Sequence, residues 1–357
     1  MNKQQTAAER RRNAARIKRL KQKRRRKMIR MFLMILLVIA AAAGLGVLGF
    51  IVKDLIFKDP VQAYSVSKEF PGGQNAGSEG KADLFASDLC VVIEEKLLDQ
   101  VNLEEDQEGI LFDITDKEVI YSKGAYTKVY PASITKIMTA LLAFKYGNME
   151  DVVTITEENV TLEEGSQVIG FLAGDKVTMN ELVHGLLVYS GNDAASAIAT
   201  HIGLTTEKFV EMMNQYAAEL GCTGTHFTNP HGLQDENHYT TPYDIYLMLK
   251  EALKYPEFTE ITQLGSYTIT YERSWGEEVS TALLATDHYL TGEAAAPKGI
   301  TILGGKTGTT SDAGNCLALL SQNAYGEPYV SVVMGASTKE LLYQQMSALL
   351  ENANMDN

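Results

Sequence analysis

The sequence predicts an α+β fold: an antiparallel sheet flanked by helices, with a helical lobe, carried behind an N-terminal transmembrane helix. Three features lead there. Residues 31–52 are unbrokenly apolar, strand-like stretches lie at both ends of the remaining body, and between them apolar residues recur at helical spacing. Strands supplied from both ends imply one sheet assembled from distant segments, with helices inserted between them. A cleft is expected where sheet and lobe meet.

The apolar stretch MFLMILLVIAAAAGLGVLGFIV holds 22 residues with no charge and nothing polar beyond three glycines. At about 1.5 Å per residue it makes a helix of about 33 Å, enough to cross a bilayer. A secretory core usually runs to about 7–15 residues, so a retained signal-anchor is favoured; the alanines at 40–43 leave cleavage open. The 357-residue chain carries 32 Lys plus Arg against 45 Asp plus Glu, net −13, with 45% hydrophobic residues. That composition excludes a disordered or collagen-like chain.

The charge is unevenly spread. Residues 1–30 hold 14 of the 32 basic side chains and nine of the ten arginines, opposed only by Glu9. A basic head before an apolar span is expected to stay in the cytoplasm, which puts the acidic body outside the cell membrane in a single-pass protein. The run Arg24, Arg25, Arg26 and Lys27 is read as a topology signal that also attracts anionic lipid, at about 1 kcal/mol per basic residue, rather than as a nucleic-acid site. Membrane lipids are therefore the expected partner of 1–52.

Residues 53–88, with PGGQNAGSEGK, lack periodicity and read as a flexible extracytoplasmic linker. The body, 89–357, is long enough for a large core. In it GILFDI and KEVIYS flank Thr115 and Asp116 as a hairpin. A helix follows Pro131, with Ile134, Ile137, Met138, Leu141 and Leu142 at helical spacing and a stop at Gly147. Helices are also expected at about 178–188, with Thr178 and Glu181 as a capping box, at 192–202, and from Thr241-Pro242. Then come the strands TILGGKTGTT, NCLALLSQ and YVSVVMGAS, and a last helix at about 339–352. Cys90, Cys222 and Cys316 are too few for a disulfide framework and read as small buried hydrophobes, with one bridge left open.

Gly-x-Ser-x-Gly and His-Glu-x-x-His are both absent, and neither the cysteines nor the six histidines show metal-ligand spacing, so no metal and no cofactor is expected. Ser133-Ile134-Thr135-Lys136 places a serine and a lysine on one helix face, with the serine at the N-terminus, where free N–H groups favour developing negative charge. The pattern alone is weak: Ser65 with Lys68 and Ser78 with Lys81 repeat it in the linker. Ser190-Gly191-Asn192 falls in the break between two helices, and Lys306-Thr307-Gly308 in a glycine-rich strand, where a ligand backbone could pair with a strand edge. A lysine works as a base near neutral pH if its ammonium is disfavoured, which burial and a second cation, Lys306, would both do. His231 and His238 sit in turn sequences and are assigned structural roles.

With these three motifs in this order, the sequence resembles the serine D-alanyl-D-alanine carboxypeptidases, the low-molecular-mass penicillin-binding proteins that share a fold with serine β-lactamases. The resemblance covers about 107–353, including VYPASITKIMTALLAF, GLLVYSGNDAASAIA, FTNPHGL, HYTTPYD and GGKTGTTSDAGNC. It implies that Ser133 attacks the penultimate D-Ala carbonyl of a peptidoglycan stem pentapeptide, that Lys136 is its base, and that Ser190 relays a proton to the leaving D-Ala. It further implies substrate binding by Asn192, Lys306, Thr307, Gly308 and Thr309, an oxyanion hole from the backbone N–H groups of Ser133 and Thr309, and β-lactams as covalent inhibitors. No arginine follows Lys306, so Thr307 and Thr309 are expected to share the carboxylate recognition that a guanidinium would give.

Two rivals stand beside this reading. One is a β-lactamase: the class A form would carry a glutamate with asparagine four residues later, and none occurs between residues 207 and 293, which leaves the other β-lactamase classes open. A non-catalytic penicillin-sensing or wall-binding protein is the other, and the presence of every reactive residue argues against it.

Overall fold

The structure, a computed structural model, describes residues 88–354. The basic head 1–30, the apolar span 31–52 and the linker 53–88 lie outside the described residues, except for Asp88, whose carboxylate pairs with Lys250. Among the described residues no helix is long and apolar enough to cross a membrane.

The chain begins with strands β1 (Glu108–Asp113) and β2 (Glu118–Lys123), a 3-10 turn (Ala132–Thr135) and helix α1 (Lys136–Tyr146). Next come β3 (Val152–Thr154), α2 (Glu157–Val160), β4 (Lys176–Thr178) and α3 (Met179–His184), which unwinds into a π-helical turn (Gly185–Tyr189). Helices α4 (Asn192–Gly203), α5 (Thr206–Leu220), α6 (Pro242–Ala252) and α7 (Pro256–Thr262) follow. The remainder is β5 (Ser266–Glu272), β6 (Glu278–Leu284), α8 (His288–Thr291), β7 (Thr301–Thr310), β8 (Gly314–Gln322), β9 (Pro328–Ala336), α9 (Lys339–Leu350) and a closing 3-10 turn (Glu351–Asn354).

The main sheet has five antiparallel strands in the order β2-β1-β9-β8-β7. Its joint is the expected one between distant segments, with Ile110 of β1 opposite Val332 of β9. Both faces are covered, which accounts for the continuous apolar run of β8. Cys316, Ala318 and Leu320 enter the core shared with the helical lobe, while Leu317 and Leu319 join Leu342, Met346 and Leu349 of α9. Strand β7 forms the edge.

Helix α1 forms where the apolar spacing placed it and is buried through its first two turns. All eight residues from Lys136 to Ala143 are buried, so α1 is the axis of the lobe, wrapped on every side. Fully burying each of Ile137, Leu141 and Leu142 is worth about 1.5–3 kcal/mol. The Thr241-Pro242 start is as expected, with Thr241 Oγ1 accepting the N–H of Asp244.

Three features depart from expectation. The Thr178 hydroxyl caps Glu181 N–H at 3.2 Å, but the Glu181 carboxylate does not reach back. It accepts from Tyr267 Oη and Thr270 N, stapling α3 to a second sheet. That four-stranded antiparallel sheet, ordered β3-β4-β5-β6, was not foreseen, nor was α5. The three cysteines are buried and unbridged, and burial pushes the Cys316 thiol up to about 12.

Candidate active site

The 3-10 turn that leads into α1 carries Ser133. Three residues per turn eclipse positions i and i+3, so Ser133 stands over Lys136 and the two side chains meet at 2.8 Å. Lys136 Nζ also donates to Asn192 Oδ1 at 2.6 Å and to the backbone carbonyl of His231 at 2.8 Å. No carboxylate is among these partners. Burial, reinforced by the charge of Lys306 and only partly opposed by Asp193, holds the Lys136 ammonium well below the ordinary lysine range. A neutral amine fits the three contacts: two N–H groups go to the carbonyl oxygens, and the lone pair faces the serine hydroxyl.

The turn is under strain and clamped. Ala132 has φ 48°, a left-handed conformation that costs about 1–2 kcal/mol in an L-residue. Gly232 presses on it: a methyl group there would come 1.8 Å from the Ala132 carbonyl oxygen. From the other side, Thr228 N–H donates to His238 Nδ1 at 3.1 Å. The proton is thereby left on Nε2, which meets Thr135 Oγ1 at 2.8 Å, and Thr135 Oγ1 donates to Ala132 O at 2.8 Å. His238 is thus a structural strut, its pKa lowered to about 4 by burial. His231 contributes its carbonyl, and burial lowers its ring to about 3, leaving it neutral.

Ser190 ends the π-helical turn with φ 69° and ψ 31°. It is only 4% exposed, and its hydroxyl has no hydrogen-bond partner. Two residues on, Asn192 opens α4. Asp193 secures this corner: its Oδ1 accepts from Ile169 N and Ala194 N at 3.0 Å and its Oδ2 from Gly170 N at 2.9 Å. The neighbouring loop 163–167, which lines the cleft, is tied to α4 through Asn192 N–H, which donates to Gln167 O at 2.8 Å. An acidic residue in the first turn of a helix was the available signal for Asp193, but its loop partners have no sequence signature.

The third wall is β7. A methyl group at Gly308 would lie 3.0 Å from Ser133 N and 2.9 Å from Pro131 O, so glycine is what lets the edge strand approach the serine turn. Lys306 is 1% exposed and donates to Thr307 O at 2.9 Å; no hydrogen bond joins it to Ser133. Burial lowers it to about 7, with Asp287 opposing. Thr307 Oγ1 meets Thr286 Oγ1 at 2.5 Å and Thr309 Oγ1 donates to Asn315 Oδ1 at 3.2 Å.

A cavity of about 400 Å³ results, lined by Ser133, Ser190, Asn192, Thr307, Gly308 and Thr309 among others. Lys136 and Lys306 lie buried behind its wall. Thr286 and the loop 163–167 went unremarked in the sequence, because they bear no motif and reach the cleft only through tertiary approach.

A hydroxyl on a strained helix entrance, a buried amine with no carboxylate against it and an open strand edge alongside are the parts that active-serine acyl transfer with a lysine base requires. The chain belongs to the D-alanyl-D-alanine carboxypeptidase family, peptidase S11, whose pattern matches residues 100–338. It is 35% identical over 256 residues to D-alanyl-D-alanine carboxypeptidase DacF of Bacillus subtilis, covering 70% of this chain and 62% of that one. DacC of Escherichia coli is 32% identical over 254 residues, covering 68% and 59%. The chain thus spans about three fifths of the length of these curated relatives. Among solved structures, the Streptomyces K15 DD-transpeptidase superposes with TM-score 0.63 at 25% identity, covering 69% of this chain and 95% of that one. D-alanyl-D-alanine carboxypeptidase from Mycobacterium tuberculosis gives 0.62 at 27%, covering 70% and 91%.

Proposed function

We propose that this protein is a serine D-alanyl-D-alanine carboxypeptidase that removes the terminal D-Ala from peptidoglycan stem pentapeptides, and that β-lactams acylate it covalently. The observation that carries this reading is the 2.8 Å contact between Lys136 Nζ and Ser133 Oγ with no acid on the lysine. In the first step Ser133 Oγ gives its proton to the neutral Lys136 amine and bonds to the penultimate D-Ala carbonyl carbon. The backbone N–H groups of Ser133 and Thr309 receive the oxyanion. As the C–N bond breaks, the proton on Lys136 passes through Ser190 Oγ to the leaving D-Ala nitrogen. Asn192, Lys306, Thr307, Gly308 and Thr309 position the substrate. Water then attacks the acyl-enzyme, with the amine again taking the proton, and Ser133 is released.

The test is D-Ala release from a diacyl-L-Lys-D-Ala-D-Ala peptide, with Ser133→Ala as control, together with mass spectrometry of the protein after benzylpenicillin. Release and a long-lived adduct on Ser133 support the proposal. Rapid turnover of penicillin would favour a β-lactamase, and neither release nor adduct would favour a non-catalytic wall-binding protein.

We further propose that the body works outside the cell, anchored by 31–52 with the basic head in the cytoplasm. What supports this is the 22-residue apolar stretch after 14 basic residues. Protease shaving of intact cells that left the body uncut would contradict it.

A further inference from the structure

One residue outside the three motifs touches two of the walls that carry them. Thr286 stands two residues beyond the end of β6. Its N–H donates to the Val188 carbonyl at 3.2 Å, on the π-helical turn that Ser190 closes. Its hydroxyl meets Thr307 Oγ1 of β7 at 2.5 Å, and the residue lines the cavity together with Ser133 and Ser190. The next residue fixes it from behind: Asp287 Oδ1 accepts from Tyr343 Oη of α9 at 3.2 Å and from Tyr289 N at 3.0 Å. The backbone of Thr286 is thereby pinned between the Ser190 corner and α9, with its hydroxyl held against β7.

The two hydroxyls have a definite proton inventory. Each threonine oxygen carries one proton and two lone pairs. Neither has another hydrogen-bond partner among the described residues, so one donates to the other across 2.5 Å. One proton is used inside the pair and one is left over, whichever way the bond runs. Both residues are half-buried and line the cavity, so the spare proton is available to the cleft. A hydroxyl whose oxygen already accepts a hydrogen bond is also a stronger donor, by about 10–30%. Thr307 alone would present a free rotor; beside Thr286 it is held in place before any ligand arrives.

We infer that Thr286 and Thr307 act as one unit, in which Thr286 orients and polarises the Thr307 hydroxyl so that a single aimed O–H meets the substrate's terminal carboxylate. This rests on the carboxypeptidase reading above. Thr286 is a positioning residue, and its N–H contact with Val188 keeps that donor in register with the Ser190 corner, where the leaving nitrogen is to be protonated.

The experiment compares wild type with Thr286→Val, which keeps the branched shape and the N–H contact but loses the hydroxyl, with Thr286→Ser, which restores it, with Thr307→Val and with the double valine variant. It measures KM and kcat for D-Ala release, acylation by benzylpenicillin, which carries a carboxylate, and inhibition by phenylboronic acid, which engages the serine without one. Thr286→Val should raise KM and slow penicillin acylation by about three- to tenfold, with a smaller effect on kcat. Unchanged phenylboronic acid inhibition should show that its serine site is folded. Thr286→Ser should recover most of the loss, and the double variant should lose no more than Thr307→Val alone, because the two hydroxyls work through one contact. Wild-type KM in Thr286→Val, an equal loss towards phenylboronic acid, no rescue by serine, or additive losses in the double variant would overturn the assignment while leaving the carboxypeptidase reading intact. A wild-type protein inert in all three assays would bring down both.

Discussion

Lys136 Nζ lies 2.6 Å from the side-chain oxygen of Asn192, and that oxygen can only accept. The same holds for the His231 carbonyl, at 2.8 Å. Two of the three positions around the nitrogen are therefore always filled by N–H donors, whether the lysine is charged or neutral. The third points at Ser133 Oγ and changes character with the proton: an N–H in the ammonium, a lone pair in the amine. The lysine can lose and regain a proton without orphaning a buried polar group.

The first prediction concerns pH. In the proposed mechanism the serine needs the neutral amine, so acylation should rise with pH through the lowered pKa of Lys136 and level off well below the ordinary lysine value of 10.5. Because Lys306 contributes to that lowering, Lys306→Met should move the rising limb to higher pH. Stopped-flow acylation by a chromogenic cephalosporin across pH reads this directly; a limb that stays put would refute coupling between the two lysines.

The second concerns stability. Lys306 falls from 10.5 to about 7 on folding, so between those values the unfolded chain binds a proton that the folded chain does not. Stability from this group accordingly increases as pH rises from about 7 towards 10.5, and the penalty is largest below it. Lys306→Met should be more stable than wild type at pH 7 by about 0.5–2 kcal/mol, a typical gain where function has been traded for stability. The gain should shrink by pH 10. Thermal melts at the two pH values, both with reduced acylation, are the check.

Ser190 separates function from stability in another way. Its buried hydroxyl has no partner, so removing it costs no hydrogen bond and relieves a desolvation penalty. Ser190→Ala should melt within about 0.5 kcal/mol of wild type, as substitutions lacking a named destabilising mechanism do. Its turnover should drop by about 10²–10⁴-fold if it carries the proton. A variant that lost both together would mean that Ser190 supports the left-handed corner rather than the chemistry.

Two glycines facing the serine turn should behave differently. Gly308→Ala puts a methyl 3.0 Å from Ser133 N, displacing β7 by a few tenths of an ångström; kcat should fall by about 10²-fold, as small misplacements do, with a minor change in melting. Gly232→Ala combines a φ of +87° with a 1.8 Å overlap on Ala132 O and should cost at least about 1–3 kcal/mol of stability. Urea unfolding and steady-state rates on both proteins distinguish the cases.

The first hairpin, the three final strands and the helices bearing the serine motifs were legible, because their apolar periods and turn residues are local. The same is true of the Ser133–Lys136 pair, where spacing alone fixes the meeting. The second sheet was not. Strands β3 and β4 have three residues each, too few to show a period of two, and Glu181 is drawn from its local capping role to Tyr267 by tertiary contact. The His231 carbonyl on Lys136 and the Thr286 hydroxyl on Thr307 are equally beyond sequence reading, since a carbonyl has no residue-type signature and neither contact is local.

Strand β7 ends its sheet without a neighbour on the side that faces the cleft. A bound chain can therefore lie there as a sixth strand, held through its peptide groups rather than its side chains. Main-chain docking of this sort checks backbone direction and the handedness of the terminal residues, and it is largely indifferent to what projects sideways. Polymers of differing lateral chemistry, but with the same tail, should be accepted alike.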